Sequence, residues 1–178
     1  MTHTALGMYD YHAWANQTLI NRLKELPTEV FRQEVTSVFP TVAKVIAHIY
    51  LVDRTWYEIL GGMSMNAAMA IFRDITEATE SKSLEELEAM YTELSQQFKA
   101  FLREQPDLEK VINLDNPYAG IRDTSMAEMV LQVVNHATYH RGNVTAMLRQ
   151  MGHASVMTEY ALFWYAGEAS ADLAPAQT

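Results

Sequence analysis

The sequence predicts an all-α protein, built as a four-helix bundle with a long crossover connection. Four long stretches repeat apolar residues at intervals of three and four, which is the spacing of an amphipathic helix. Each stretch has recognisable start or stop signals, and no repeat, charge block or Gly/Ser linker divides the chain. Four amphipathic helices bury their apolar faces most simply against one another. Long connections after the second and third helices leave room for a crossover.

The first helix is predicted at residues 4–26. Its apolar face is formed by Leu6, Tyr9, Ala13, Ile20 and Leu23. Pro27 ends the helix because its ring cannot continue the hydrogen-bond pattern. Residues 28–40 are predicted to form a loop that folds over the end of the domain.

The second helix is predicted at residues 41–60, with Gly61 and Gly62 as a left-handed stop. Its buried side repeats Val, Ile and Trp at helical spacing. His48 follows Val45 by three positions and precedes Val52 by four, so its side chain is expected to point towards the protein interior.

The third helix begins at a capping box, in which the side chains of Ser83 and Glu86 each bond the other's backbone N–H, and it ends before Pro106. The Met-, Ala- and Thr-rich residues 63–82 that precede it are harder to assign. A short helix near 65–72 is expected there, followed by a connecting loop.

The fourth long helix begins at a second capping box, Ser125 to Glu128, and ends at Gly152. A short hairpin or loop is predicted before it, near 110–123, because apolar residues alternate there and a Pro/Gly turn follows. Thr158 is expected to cap a short C-terminal helix.

These elements predict one domain over residues 1–167. Residues 168–178 are rich in Ala, Ser, Asp and Pro, and we expect them to form a flexible C-terminal tail.

Composition excludes several classes of function. The formal net charge of −9 disfavours binding to nucleic acid or to an anionic membrane surface. No apolar run approaches the roughly 18 residues of a membrane span, and the N-terminus lacks an export signal, so a cytoplasmic protein is expected. Cysteine is absent, which removes disulfides, thiolate ligands and cysteine nucleophiles.

Three histidines are candidate metal ligands. His136 and His140 lie four apart on the fourth helix, so their imidazoles share one face, and that face is apolar. Together with His48 they would give three inward imidazoles from two helices. Such a set predicts a site for zinc or nickel, with iron or manganese as alternatives, and with positions open for water or substrate. The alternative is that each is a core histidine bonded to a carbonyl group.

We expect other locations and roles for the remaining histidines. His3 and His153 are expected to be exposed to solvent, whereas His12 is either a further ligand or a pocket residue. Acceptors for the second ring N–H of a ligand are expected among Asn135, Asp53 and Glu159. Arg141 is expected in an ion pair at a helix or subunit edge, with binding of a substrate anion as the alternative.

A carboxylate-bridged di-iron centre is disfavoured. That centre needs Glu-x-x-His motifs, but the residues three positions before the three histidines are Val45, Val133 and Ala137. Ala137 also occupies the position at which a zinc-protease motif has glutamate.

Three motifs resemble the DinB/YfiT-like family over residues 5–165. They are Tyr-His-Ala-Trp-Ala-Asn at 11–16, Ala47-His48-Ile49 with Asp53 and Trp56 after it, and His136-x-x-x-His140-Arg141-Gly142. The chain departs from the common pattern in having asparagine rather than glutamine at position 143.

The resemblance implies a helical bundle, often a homodimer, that binds a divalent metal through His48, His136 and His140. It also implies an enzyme that acts on a small-molecule substrate as a thiol-dependent S-transferase, with a low-molecular-weight thiol or water activated by the metal. The alternatives are a metal-dependent hydrolase and a non-catalytic metal-binding module of the stress response.

Overall fold

A computed structural model describes residues 3–166. The helices are α1 (Thr4–Lys24), α2 (Val42–Leu60), α3 (Met65–Glu80), α4 (Leu84–Glu104), α5 (Met126–Gln150) and α6 (Tyr160–Ala166). The strands are β1 (Val111–Asn116) and β2 (Gly120–Ser125), and a short 3-10 helix covers Thr28–Phe31. The tail predicted at 168–178 lies outside the described residues.

The all-α prediction is corrected by a small antiparallel sheet. Strands β1 and β2 pair as a hairpin, with Val111 opposite Ser125 and Asn116 opposite Gly120. Gly120 has a φ of 88°, a conformation that glycine adopts without steric cost and that ends the hairpin turn. The fold is therefore mostly helical with one two-stranded sheet.

Helix α3 is twice as long as the expected segment 65–72. Ser64 caps its start, because its side chain accepts a hydrogen bond from the backbone of Ala67. Phe72 and Ile75 then continue an apolar face at helical spacing and pack against the core. This face lies against α2, and the contact explains why a stretch rich in Thr and Glu stays helical.

The four long helices α1, α2, α4 and α5 were all predicted, and both capping boxes are present. Helix α1 packs against α4 and α5, and α2 packs against the same two helices as well as against α3. Helices α2 and α5, which carry the three candidate ligands, are therefore direct neighbours. No helix within residues 3–166 has both the length and the apolarity to cross a membrane.

Candidate metal centre

The structure brings the three predicted histidines together. His48 lies in α2, whereas His136 and His140 lie one turn apart on α5. One ring nitrogen from each lies within 4.8 Å of the others. In the part of the chain that the structure describes, this is the one group of His, Cys, Asp or Glu side chains arranged to share an ion.

One pair of nitrogens in the group has the separation that a shared ion requires. The Nε2 atoms of His48 and His136 are 3.1 Å apart. Metal–nitrogen bonds of about 2.0–2.1 Å place two ligands of one ion roughly 3.0–3.4 Å apart. The two rings are tilted by 55° to each other, so they are not stacked face to face.

Asn143 fixes which nitrogen of His140 is free. Nδ1 of His140 lies 3.0 Å from Oδ1 of Asn143. An amide oxygen only accepts hydrogen bonds, so Nδ1 carries the proton and donates it. The lone pair is then on Nε2, which is the arrangement of a metal-binding histidine whose second nitrogen is held by an acceptor.

His136 has a buried nitrogen that no hydrogen bond explains. Its Nδ1 is shielded from water and has no partner among residues 3–166. Its Nε2 lies 3.1 Å from Nε2 of His48, so without a cation one of these two nitrogens must carry a proton and donate a hydrogen bond to the other. A cation between them would accept both lone pairs, so the donor set fits a divalent metal.

Aromatic rings surround His48 and His140. The ring of Phe39 lies 4.9 Å from that of His48 and 5.5 Å from that of His140, centroid to centroid. Phe72 contacts the edge of His48, and Tyr139 contacts the edge of His140. These rings limit the access of water, so the imidazoles lie in a less polar environment than solvent.

Burial keeps all three imidazoles neutral. It lowers the pKa of His48 to about 4, and the neighbouring His140 contributes to this shift. Burial lowers the pKa of His136 to about 3, again with contributions from the nearby histidines. Burial also lowers the pKa of His140, although the Asn143 hydrogen bond opposes that shift. Neutral imidazoles can bind a metal at pH 7 without first losing a proton.

Within residues 3–166, the predicted acceptors form no hydrogen bond with the three histidines. Asn135 and Glu159 are exposed, and Asp53 bonds His12 instead. Sequence reasoning missed Asn143, the acceptor that the structure does provide. The available signal was its position three residues after His140, which places both side chains on one helix face.

His12 is a pocket residue and not part of the three-histidine group. Its Nε2 lies 2.5 Å from Oδ2 of Asp53, and both residues are 1% exposed. Both line a cavity of about 130 Å³ between α1, α2 and α4. Asn16 lies on the next turn of α1, with its amide nitrogen 3.1 Å from the same His12 atom.

The prediction for Arg141 was wrong. This residue is 2% exposed, and its guanidinium donates hydrogen bonds to Oδ1 of Asn16 and Oγ1 of Thr138. It also lies over the ring of Tyr11, 5.5 Å from the centroid. Arg141 therefore ties α5 to α1 in the interior, next to the candidate ligand His140.

A mostly helical fold with three neutral imidazoles converging from two packed helices defines a candidate metal-binding protein of the histidine-triad type. The sequence profile described as DinB family matches residues 1–171. The chain belongs to the DinB family.

One curated relative agrees with this assignment, and one solved structure has a similar fold. The chain is 44% identical over 165 residues to Protein DinB of Bacillus subtilis (strain 168), covering 93% of this chain and 96% of that one. It also resembles the crystal structure of a DinB-like protein from Bacillus cereus ATCC 10987, with a TM-score of 0.63 and 19% identity. That match covers 86% of this chain and 94% of the other, and it supports the fold alone.

Proposed function

We propose that His48, His136 and His140 bind one divalent metal ion, and that the protein transfers a low-molecular-weight thiol to a small electrophile. The observation that carries the proposal is the convergence of three neutral imidazoles with no fourth His, Cys, Asp or Glu in the group among the described residues. Three protein ligands leave positions for an exogenous group, which is typical of a catalytic site. Zinc or nickel suits this donor set best, with iron or manganese as alternatives.

The reaction forms a bond between the thiol sulfur and an electrophilic carbon. The leaving group departs from that carbon with its electron pair, and the thiol proton is released to solvent. A divalent ion at this site supplies positive charge that lowers the pKa of a thiol or of water. Phe39 and Phe72 limit the access of water to His48, and Asn143 orients His140.

A cavity of about 290 Å³ beside His48 supports a small-molecule substrate. Its walls include Trp56, Met65, Met69 and Phe72, from helices α2 and α3. Apolar walls next to a candidate metal site are the usual surroundings of a small-molecule ligand.

Elemental analysis of the purified protein tests the ligand set. We expect about one divalent ion per chain in the wild type and its loss in His140→Ala, because two imidazoles bind such an ion much more weakly than three. His153→Ala is the matched control, since this histidine is not in the three-histidine group, and it should retain the metal. Equal metal in the wild type and His140→Ala, or no metal in either, would contradict the assignment.

A panel of thiols tests the reaction. Metal-loaded protein is mixed with 1-chloro-2,4-dinitrobenzene and cysteine, cysteinylglycine, glutathione or coenzyme A, and thioether formation is followed by absorbance. We expect acceleration that depends on the thiol and is lost in His140→Ala. Turnover of ester or amide substrates without any thiol would favour the hydrolase. Stoichiometric metal without any turnover would favour the non-catalytic stress-response module.

We also propose that the chain folds as a four-helix bundle with a long crossover connection, and that it forms a homodimer in the cytoplasm. The packing of α1 and α2 against both α4 and α5 supports the bundle. Trp164 is 62% exposed and Tyr165 is 57% exposed on α6, and such apolar surface supports self-association. The net charge of −9 gives no electrostatic reason for binding nucleic acid or a membrane.

A further inference from the structure

Two cavities with shared lining residues lie on the side of the molecule that carries the candidate metal centre. The smaller one, about 290 Å³, is lined by His48 and by apolar residues of α2 and α3. The larger one, about 630 Å³, lies between the β1–β2 hairpin and α5 and reaches Asn135, the residue before His136. Trp56 and Asn116 line both cavities, so the two spaces are neighbours.

The smaller cavity is suited to an apolar group. Met65 is 7% exposed, and it lines the cavity together with the partly buried Met69, Phe72 and Trp56. Methionine side chains adapt their shape and make favourable contacts with aromatic rings. An aromatic or aliphatic group would therefore lose its hydration there in exchange for close packing.

The larger cavity is suited to a group that forms hydrogen bonds. The exposed amides of Gln132 and Asn135 line it and offer both donors and acceptors. Thr124 also lines it and is 6% exposed, and its Oγ1 has no hydrogen-bond partner among residues 3–166. An unpaired buried hydroxyl costs free energy unless a ligand or water supplies its partner.

The charge of the larger cavity is balanced. Arg122 and Glu128 both line it, and they pair with each other at 2.6 Å. Since the pair has no net charge, the lining favours a neutral or zwitterionic group that carries amides or hydroxyls over a strongly charged one.

We infer that the site binds its two reactants in separate cavities, with the β1–β2 hairpin as the element that sets specificity. This inference rests on the proposed thiol transfer. The apolar part of the electrophile occupies the smaller cavity, and the amide-bearing part of the thiol occupies the larger one. Asn116 holds the hairpin tip, because its Oδ1 accepts a hydrogen bond from the backbone N–H of Tyr118 at 2.9 Å. Tyr118 itself lines the smaller cavity.

The first test measures binding of an apolar probe to metal-free protein. The protein is labelled with ¹³C at its methionine methyl groups, and unreactive 1,3-dinitrobenzene is titrated in. The methyl signals of Met65 and Met69 should shift, whereas that of Met147, buried in the core, should not. Met69→Gln should weaken binding at least tenfold, and Met157→Gln, at a residue 67% exposed and outside the cavity, should leave it unchanged. Unshifted Met65 and Met69 signals would overturn the assignment.

The second test measures binding of a polar probe to the same metal-free protein. S-methylglutathione has the amide groups of glutathione, but its sulfur is methylated and cannot react as a thiol. It should shift the side-chain amide signals of Gln132 and Asn135 in ¹⁵N spectra without displacing dinitrobenzene. Competition between the two probes, or amide signals that do not move, would overturn the two-cavity arrangement.

Kinetics of the metal-loaded protein separate this inference from the proposed function. Gln132→Ala and Asn135→Ala should raise the KM for the thiol at least threefold and leave the KM for the electrophile unchanged. Met69→Gln should raise the KM for the electrophile and leave the KM for the thiol unchanged. Equal changes in both KM values would contradict separate cavities. Absence of turnover would refute the thiol transfer. The two binding tests on metal-free protein do not depend on turnover, so they test the two-cavity arrangement separately.

Discussion

At the scale of single residues, the orientation of His140 depends on Asn143. The hydrogen bond from Nδ1 to the asparagine oxygen, 3.0 Å long, leaves Nε2 as the free donor atom. We expect Asn143→Ala to weaken metal binding by about 10- to 100-fold, the usual cost of losing such an acceptor. Titration against a chelator of known affinity measures the effect. Asn143→Asp keeps an acceptor oxygen and should retain most of the affinity, and a loss equal to that of Asn143→Ala would contradict this role.

The pKa values of the ligands predict an unusual pH dependence. Protons and metal ions bind the same lone pair of an imidazole. At pH 5, protonation of each ordinary imidazole, with a pKa near 6.5, would lower the metal affinity about 30-fold. In this protein the pKa is lowered to about 4 for His48 and to about 3 for His136, and that of His140 is also lowered. Affinity is therefore retained above these values and lost as pH falls through them. We expect no more than about a 30-fold loss between pH 7 and pH 5, the most that His140 alone could contribute, as measured by chelator competition corrected at each pH. A loss on the order of ten-thousandfold, the product of the effects of three ordinary imidazoles, would show that the histidines titrate normally.

The sequence predicted the three candidate ligands because helical spacing places each of them on the apolar face of its own helix. His136 and His140 are four residues apart, and His48 lies between apolar residues of one helix face. Partners that come from distant segments could not be predicted in this way. His12 and Asp53 are 41 positions apart, and Arg141 and Asn16 are 125 apart, so both pairs depend on how α1 meets its neighbours.

At the scale of secondary-structure elements, the buried pair His12–Asp53 connects α1 to α2. Removing one partner leaves a polar group without compensation in the interior, so Asp53→Ala should reduce the free energy of unfolding by about 3–5 kcal/mol. Urea unfolding followed by circular dichroism measures this change.

The chain offers a matched control for that experiment. His3 and Glu109 form a similar pair at 3.0 Å, but their side chains are 36% and 65% exposed. Glu109→Ala should therefore change stability by no more than about 1 kcal/mol. Similar effects of the two substitutions would show that burial of the His12–Asp53 pair does not matter.

Helix boundaries were predictable where a cap or a breaker marks them. Ser83 and Ser125 begin helices as expected, whereas the extent of α3 was underestimated. Its second half is polar in composition, and packing of Phe72 and Ile75 against the core stabilises it as a helix. Tertiary contact of this kind overrides local propensity and is invisible in composition.

At the scale of the whole molecule, we propose α6 as the contact surface of the homodimer. Trp164 and Tyr165 leave more than half of their surface exposed, which is costly in an isolated chain. We expect sedimentation equilibrium to give the mass of a dimer, and Trp164→Glu to shift the population to monomer without changing the helix content. Lys82→Glu, at a residue distant along the chain from α6, is the control. A wild-type monomer at all concentrations would contradict the dimer.

The most direct test of the central claim is an anomalous difference map from a crystal of metal-loaded protein, collected at the absorption edge of the metal. The three imidazoles are expected to share one ion, with a single peak about 2.0–2.1 Å from one nitrogen of each of His48, His136 and His140. A peak elsewhere in the molecule, or three rings bonded to main-chain oxygens with no peak between them, would contradict it.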